Sequence, residues 1–509
     1  MGPYILVIDQ STTTSRAFIF DARHQIVATS RMDVTQHQPR PDWVEQVPEE
    51  IWATCLWACK AAIRQAGIDA SEIAGIGIAN QRATVMVWDR KTGRTIGNAV
   101  VWRDQRTTAA CDALNHAGHG DMVSHKTGLL LHPYFSGAKI TWTLDNMPGL
   151  RTRAEAGEIA LGTVDSFLIH KLTGGKVHAT DASNASQTIL FNIETNEWDA
   201  ELLALFQVPA TMLPEVKNSA DDFGLSDESL FGAPIPIYGV VGNQQAALIG
   251  NACFEPGMLK STYDDHCFAL LNTGSDIVRS KHRLLSTIAY RIDGEPTYAL
   301  EGAIVSVGGA LRWMQDDLEL FASNEVERLA QSSDPAKPIY LVPAYVGAGG
   351  GWQEVDARGA VFGITAGIKR RDLARAALEA VGYQSHDLME TMRRDWGHNR
   401  EISIRVDGPS SGSDFSMQFL ADLAQTTVDR SQLTDVTPLG AAWLAGWKAG
   451  VWKDAEGFAA QRASDRQFQP RMDIRLRDEK LAGWRDTVRR VRPDVDIEDL
   501  GSSKHLQWK

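Results

Sequence analysis

One short pattern, used twice, does most to narrow what this chain can fold into: an apolar run, a polar turn, and a second apolar run. Residues 4–8 form the first run, Asp9-Gln10-Ser11-Thr12-Thr13-Thr14-Ser15-Arg16 the turn, and residues 17–20 the second run. Both runs are too short for a helix and the turn lacks a 3.6-residue period, so the segment reads as a β-hairpin, with a third strand over 25–30. The same layout returns at 261–272, with Tyr263-Asp264-Asp265-His266 in the turn. After the first hairpin, residues 49–66 place Ile51, Leu56, Trp57, Ala61 and Ile63 at helical spacing, with Pro48 as a start signal. Residues 73–88 return to strand, 236–241 read as a strand, and 244–249 as a helix. After the second hairpin come a strand at 402–406, a Gly/Pro/Ser turn at 408–413 and a helix at 415–424. Two similar halves, each opening on a hairpin with a phosphate-type turn, predict a duplicated α/β architecture with a cleft between lobes.

Composition supports large cores. Hydrophobic residues make up 43% of the 509 and charged residues 23%, which excludes a disordered, collagen-like or disulfide-scaffold chain. Lys plus Arg total 51 against 64 Asp plus Glu, a formal charge of −13. That surplus disfavours nonspecific binding to nucleic acid or an anionic membrane. No apolar stretch reaches spanning length, and the opening residues lack the basic region of a signal peptide, so no membrane insertion and a cytoplasmic location are expected. The cysteines (Cys55, Cys59, Cys111, Cys253, Cys267) are odd in number and contain no CxxC pair, which fits a reduced compartment. Cys55 and Cys59, one helical turn apart, read as core packing, as do Trp443 and Trp447. Past about residue 466 the chain reads as a surface helix and a loose end.

The motifs are more specific. Asp9-Gln10-Ser11-Thr12-Thr13, Asn80-Gln81-Arg82, Val101-Trp102 and the run from Pro133-Tyr134-Phe135-Ser136 to Lys139 and Trp142 resemble the FGGY carbohydrate kinases, glycerol kinase branch. So do Gly162-Thr163-Val164-Asp165-Ser166, Asn184-Ala185-Ser186, Gln244-Gln245-Ala246-Ala247-Leu248, Gly359 to Ile364, and Asp372 to Glu379. The resemblance runs from residue 4 to about 484. It implies two lobes of the actin and hexokinase type: 1–248 on the polyol side, 249–485 on the nucleotide side, and a charged tail at 486–509. It implies transfer of the γ-phosphoryl group of ATP, with Mg, to a hydroxyl of glycerol or a similar small polyol. Assembly as a homodimer or homotetramer is part of the same expectation.

Residue by residue, the resemblance places Arg82, Ala83, Trp102, Tyr134, Gln244 and Phe268 at substrate positions. Trp102 and Phe268 would wall the carbon skeleton, while Arg82, Tyr134 and Gln244 would bond hydroxyls. Ala83 departs from the pattern, which has an acidic residue there. The nucleotide positions are Ser11, Thr12, Thr13, Thr14, Arg16, Asp264, Asp265, Gly308, Arg312, Gly408 and Pro409, and Asp9 would order the metal. At the position of the catalytic base the family has Asp in Gly-Asp-Gln-Gln, where this chain reads Gly242-Asn243-Gln244-Gln245. An amide accepts no proton near neutral pH, and losing a positioned base removes about 10²- to 10⁴-fold in rate.

The phosphate loop departs as well. Tyr-Gly-Thr-Gly-Cys-Phe of the family is Tyr263-Asp264-Asp265-His266-Cys267-Phe268 here. Two carboxylates in place of glycines would repel a triphosphate, each by roughly 4 kcal/mol at about 4 Å and an effective dielectric near 20, unless a cation intervenes. Ser11 replaces a glycine, Pro409 replaces the second glycine of an Asp-Gly-Gly loop, and residues 347–353 diverge from the family loop. Three functions stay open. The first is polyol binding with weak or lost phosphotransfer. The second is a working ATP-dependent polyol kinase with a shifted base or altered substrate. The third is metal-dependent chemistry in which His132, Asp264, Asp265 and His266 face Asp9.

Overall fold

The computed structural model describes residues 3–304, 307–343, 359–398 and 401–491. The loop at 347–353 and most of the charged tail lie outside these. The chain divides into two compact units that interleave in sequence. The first takes the described residues up to Ala252 together with Thr287–Tyr298 and Val436–Gln461; the second takes the described remainder.

The first unit is built on β1 (Tyr4–Gln10), β2 (Thr14–Phe20), β3 (Ile26–Asp33), β4 (Ile73–Asn80) and β5 (Ile237–Gly242), in the order β5-β4-β1-β2-β3. β1 runs antiparallel to β2 and parallel to β4, and β4 runs parallel to β5. Residues on both faces of β1 are buried, which is why its sequence is a continuous apolar run rather than an alternation. The helix Pro48–Ala66 covers one face with Ile51, Cys55, Ala58, Cys59 and Ala62. The helix Thr437–Lys448 returns from the far end of the chain to this unit, and Gly440 permits that approach: a Cβ there would sit 1.9 Å from the Ala246 carbonyl oxygen.

The second unit repeats the plan. Its strands are β6 (Met258–Tyr263), β7 (Cys267–Gly274), β8 (Leu285–Ile292), β9 (Glu295–Ile304), β10 (Ser403–Asp407), β11 (Val428–Ser431) and β12 (Ser464–Phe468), in the order β8-β9-β7-β6-β10-β11-β12. β6 is antiparallel to β7 and parallel to β10, and β10 is parallel to β11. The outer part of the β8–β9 hairpin, Thr287–Tyr298, groups with the first unit. The duplication expected from the two hairpins is present in the centre of each sheet, where β5-β4-β1-β2 of the first unit corresponds to β11-β10-β6-β7 of the second, and the second sheet carries further strands at its edges.

Two expectations need correction. Residues 73–88 are not one strand: β4 stops at Asn80, Ala83 adopts a left-handed φ of 60°, and Met86–Asp89 pairs with Ile159–Gly162 in a separate ladder. Nor is the helix after 466 a surface element. Ile474–Val491 buries Leu481, Trp484 and Val488, and Trp484 stacks on Tyr383 with ring centroids 4.9 Å apart. No described helix is long and apolar enough to cross a membrane. All five cysteines are buried thiols.

Candidate active site

In the first unit the site residues gather around the β1–β2 hairpin and the ends of β4 and β5. Asp9, near the end of β1, is buried, and its carboxylate is paired with Arg16, its cross-strand partner on β2. The turn between them is held by its own hydroxyls: Ser11 Oγ lies 2.8 Å from Thr14 Oγ1, and Ser11 N donates to the Thr14 carbonyl at 2.8 Å. Thr12 Oγ1 accepts from Trp102 Nε1 at 2.8 Å, and its carbonyl accepts from Gln46 Nε2 at 2.7 Å. Thr13 is exposed. Ser11, in place of a glycine, thus serves as a local staple.

Arg82, just past β4, is buried and donates through Nη1 to Gln245 Oε1 at 3.3 Å. Ala83 follows it, buried and left-handed, and brings no polar atom. Thr84 Oγ1 accepts from Trp102 N at 3.2 Å, so Trp102 is anchored at both its backbone and its indole. Its ring lies 5.1 Å from that of Tyr134, at 54°. His132 Nδ1 accepts from Tyr134 N at 3.1 Å, a local turn contact. Asn243 and Gln244, both half-buried, open the helix Asn243–Gly250 at the end of β5. Asn243 Oδ1 accepts from Gln244 N at 2.9 Å, which spends its carbonyl oxygen on an otherwise unsatisfied helix N–H.

Behind these lies a buried polar web. Asp165 accepts from Thr163 Oγ1 at 2.5 Å and Thr180 Oγ1 at 2.6 Å, and burial raises its carboxyl to about 7 against those two hydrogen bonds. Asp181 is raised by burial too, opposed by donors from Ser183, Asn184 and Ser219. Ser183 Oγ accepts from Gly242 N at 2.9 Å, so the web reaches the residue that precedes Asn243.

In the second unit the β6–β7 turn carries Asp264, Asp265 and His266, all exposed. Asp264 N donates to the His266 carbonyl at 2.9 Å, Val307 N to the Asp265 carbonyl at 3.2 Å, and Ser410 Oγ to the Asp264 carbonyl at 3.2 Å. The Asp265 carboxylate is ion-paired with Arg312. This corrects the picture of two bare carboxylates: a cation from the chain itself intervenes at one of them, and exposure of both partners (49% and 62%) lets solvent screen the rest. Gly408 has φ 95°, and a Cβ there would lie 2.2 Å from the Tyr263 carbonyl oxygen. Pro409 opens a short 3₁₀ turn, Pro409–Gly412, where it removes an N–H. Phe268 is half-buried on β7, 6.4 Å ring to ring from His266. Beside this loop is a cavity of about 440 Å³ lined by Gly308, Leu311, Asn324, Val381, Pro409 and Ser413, among others.

Residues 4–250 match the N-terminal domain of the FGGY family of carbohydrate kinases, and residues 259–449 match its C-terminal domain. The chain belongs to the FGGY family of carbohydrate kinases. It falls in the glycerol kinase branch: it is 55% identical to a glycerol kinase of Rhizobium rhizogenes and 54% identical to one of Rhizobium meliloti, in both cases over 96% of this chain and 99% of the relative. Its fold is similar to a crystal structure of Plasmodium falciparum glycerol kinase with ADP, at TM-score 0.91 and 32% identity, covering 97% of this chain and 99% of that one. A xylulose kinase of Lactobacillus acidophilus shares the fold at TM-score 0.85 and 18% identity, over 97% and 99% of the two chains.

The FGGY reaction needs a nucleotide and a divalent cation, and the residues present fit these unequally. The cavity in the second unit has apolar walls and scattered polar groups, which suits a nucleoside. The turn beside it presents two carboxylates and a proline where phosphate needs N–H donors. Mg²⁺ is held by one or two carboxylates plus substrate phosphates, and Asp9 is already paired with a guanidinium. Among the described residues no group of three or more His, Cys, Asp or Glu is disposed to hold a metal ion. The sequence did not reveal Gln245 and Thr84 as supports of Arg82 and Trp102, although Gln245 lies inside a quoted motif and Thr84 two residues after another. It also missed Asn324 and Ser413 at the cavity, which no motif marks.

Proposed function

We propose that this FGGY protein binds a small polyol such as glycerol through its first unit, in the cytoplasm, with weak or lost phosphoryl transfer from ATP. The observation that carries this is Asn243: at the position where the resemblance puts the base stands an amide whose oxygen already accepts a backbone N–H. The polyol side supports the binding half of the proposal. A buried guanidinium, a half-buried indole fixed at two points and a phenol 5.1 Å away combine an apolar wall with hydroxyl partners. Calorimetry with glycerol and with ATP tests it. Heat with glycerol and none with ATP is the expected result, and ordinary turnover in a coupled ADP-release assay overturns it. The homodimer or homotetramer belongs to the same proposal and is read by light scattering.

A second reading, a working ATP-dependent polyol kinase, is favoured by the 55% identity to a relative named glycerol kinase and by the Arg312 partner of Asp265. In it Asp264 or Asp265 takes over as base and Asp9 orders Mg. ADP release across a panel of polyols separates the two.

A further inference from the structure

Lys139 has no role in the site described so far, yet its surroundings are unusual for a lysine. It lies one turn into the helix Ser136–Asn146 and is fully buried. Its Nζ donates to the carbonyl oxygens of Tyr134 at 2.6 Å, Trp102 at 3.2 Å and Phe135 at 3.3 Å, and to that of Pro133. An ammonium carries three hydrogens, so these acceptors share them in a bifurcated cage. Two segments distant in sequence meet at one nitrogen. One carries Trp102, the other Tyr134.

We propose that Lys139 is a positioning residue for the polyol half-site, its ammonium clamping the Trp102 and Tyr134 segments so that their rings stand at polyol-binding separation. Charge-assisted bonds to carbonyls are stronger than neutral ones, and a neutral amine offers one hydrogen fewer. The clamp is therefore a property of the protonated side chain. The charged and titratable groups facing it are Asp104, Arg106 and Cys111. Asp104 is held by Arg106 through two 2.8 Å bonds, and Arg106 is stacked on Trp43 and Trp142. Cys111 is neutral, since burial pushes its thiol up to about 12. Burial also pushes the Lys139 ammonium down to about 7, with Asp104 opposing. The clamp is closed below that pH and opens as pH rises through it. A lysine that only filled volume would be replaced by methionine without consequence for either segment.

The affinity part rests on polyol binding as proposed above; the clamp itself does not. The test is amide hydrogen exchange on the ligand-free protein at pH 6.5, wild type against Lys139→Met, followed by glycerol calorimetry from pH 6 to 9. Exchange in segments 100–106 and 132–136 is expected to quicken at least ~10-fold in the variant, with the rest of the first unit unchanged. Glycerol affinity is expected to fall roughly 10- to 100-fold, as lost charged hydrogen bonds predict, and the wild-type decline in affinity with rising pH should flatten. Unchanged exchange in both segments of a folded variant overturns the proposal. If the wild type binds no glycerol at any pH, the functional reading fails while the exchange comparison still decides the clamp. If the variant does not melt cooperatively, wild-type exchange at pH 6 and 8.5, corrected for intrinsic rates, replaces it, and equal protection at both overturns the clamp.

Discussion

Exchanging a carboxylate for an amide keeps the shape of a side chain and removes its basicity, and the proposed weakness in phosphotransfer rests on that difference at Asn243. Asn243→Asp is expected to raise the rate of ADP release by no more than ~10-fold, because the turn at 264–266 still opposes a triphosphate. Adding Gly-Thr-Gly at 264–266 is expected to recover ~10²-fold or more, the scale of a positioned base; a stopped assay with glycerol reads both. On the polyol side, Trp102→Ala removes the indole wall and the bond to Thr12, and glycerol affinity should fall at least ~10-fold by calorimetry. At this scale the sequence was legible for identity and blind to partnership. Asp264 and Asp265 could be read as anions, but the ion pair of Asp265 depends on Arg312, 47 residues later and brought near by the fold. Lys139 could be read only as part of a motif, because its partners are carbonyl oxygens, which every residue has.

Among the elements, the strand and helix cores were the easiest to read and the connections the hardest. β1, β2, β6 and β7 announce themselves by short apolar runs around polar turns, and Pro48 marks the start of the helix Pro48–Ala66. The break after β4 was missed because Gln81-Arg82-Ala83-Thr84 carries neither Gly nor Pro, and the left-handed turn falls on Ala83. The burial of Ile474–Val491 was missed because its partners, such as Tyr383, lie about a hundred residues away. Two elements make predictions. Gly408→Ala forces a Cβ against the Tyr263 carbonyl at positive φ and should cost about 2 kcal/mol or more, a drop in melting temperature of several degrees. His178 fastens the strand Ile159–Gly162: its Nε2 donates to the Leu161 carbonyl at 2.8 Å and its Nδ1 faces Arg90 at 3.2 Å. Burial lowers its imidazole from 6.5 to about 4. The unfolded chain therefore binds the proton first, and stability is lost as pH falls from about 6.5 toward 4. His178→Gln should flatten that part of a melting-temperature profile, whose full depth is at most about 3 kcal/mol.

The molecule as a whole repeats one strand order in two units, and that repetition was visible in two hairpins far apart in the chain. The interleaving was not visible. Thr437–Lys448 lies in sequence between β11 and β12 of the second unit yet packs on the sheet of the first, an assignment that depends on close approach at Gly440 rather than on any local signal. The site divides along the same lines. Arg82, Trp102 and Tyr134 lie in the first unit, and the second holds a cavity of about 440 Å³ beside an acidic turn. The proposed loss of phosphotransfer rests on Asn243 and on that turn. The most direct test is a coupled ADP-release assay on the wild-type chain with saturating glycerol, ATP and Mg²⁺. Turnover at least ~10²-fold below the 1–100 s⁻¹ common for kinases is the predicted result, and turnover within about tenfold of that range would contradict it.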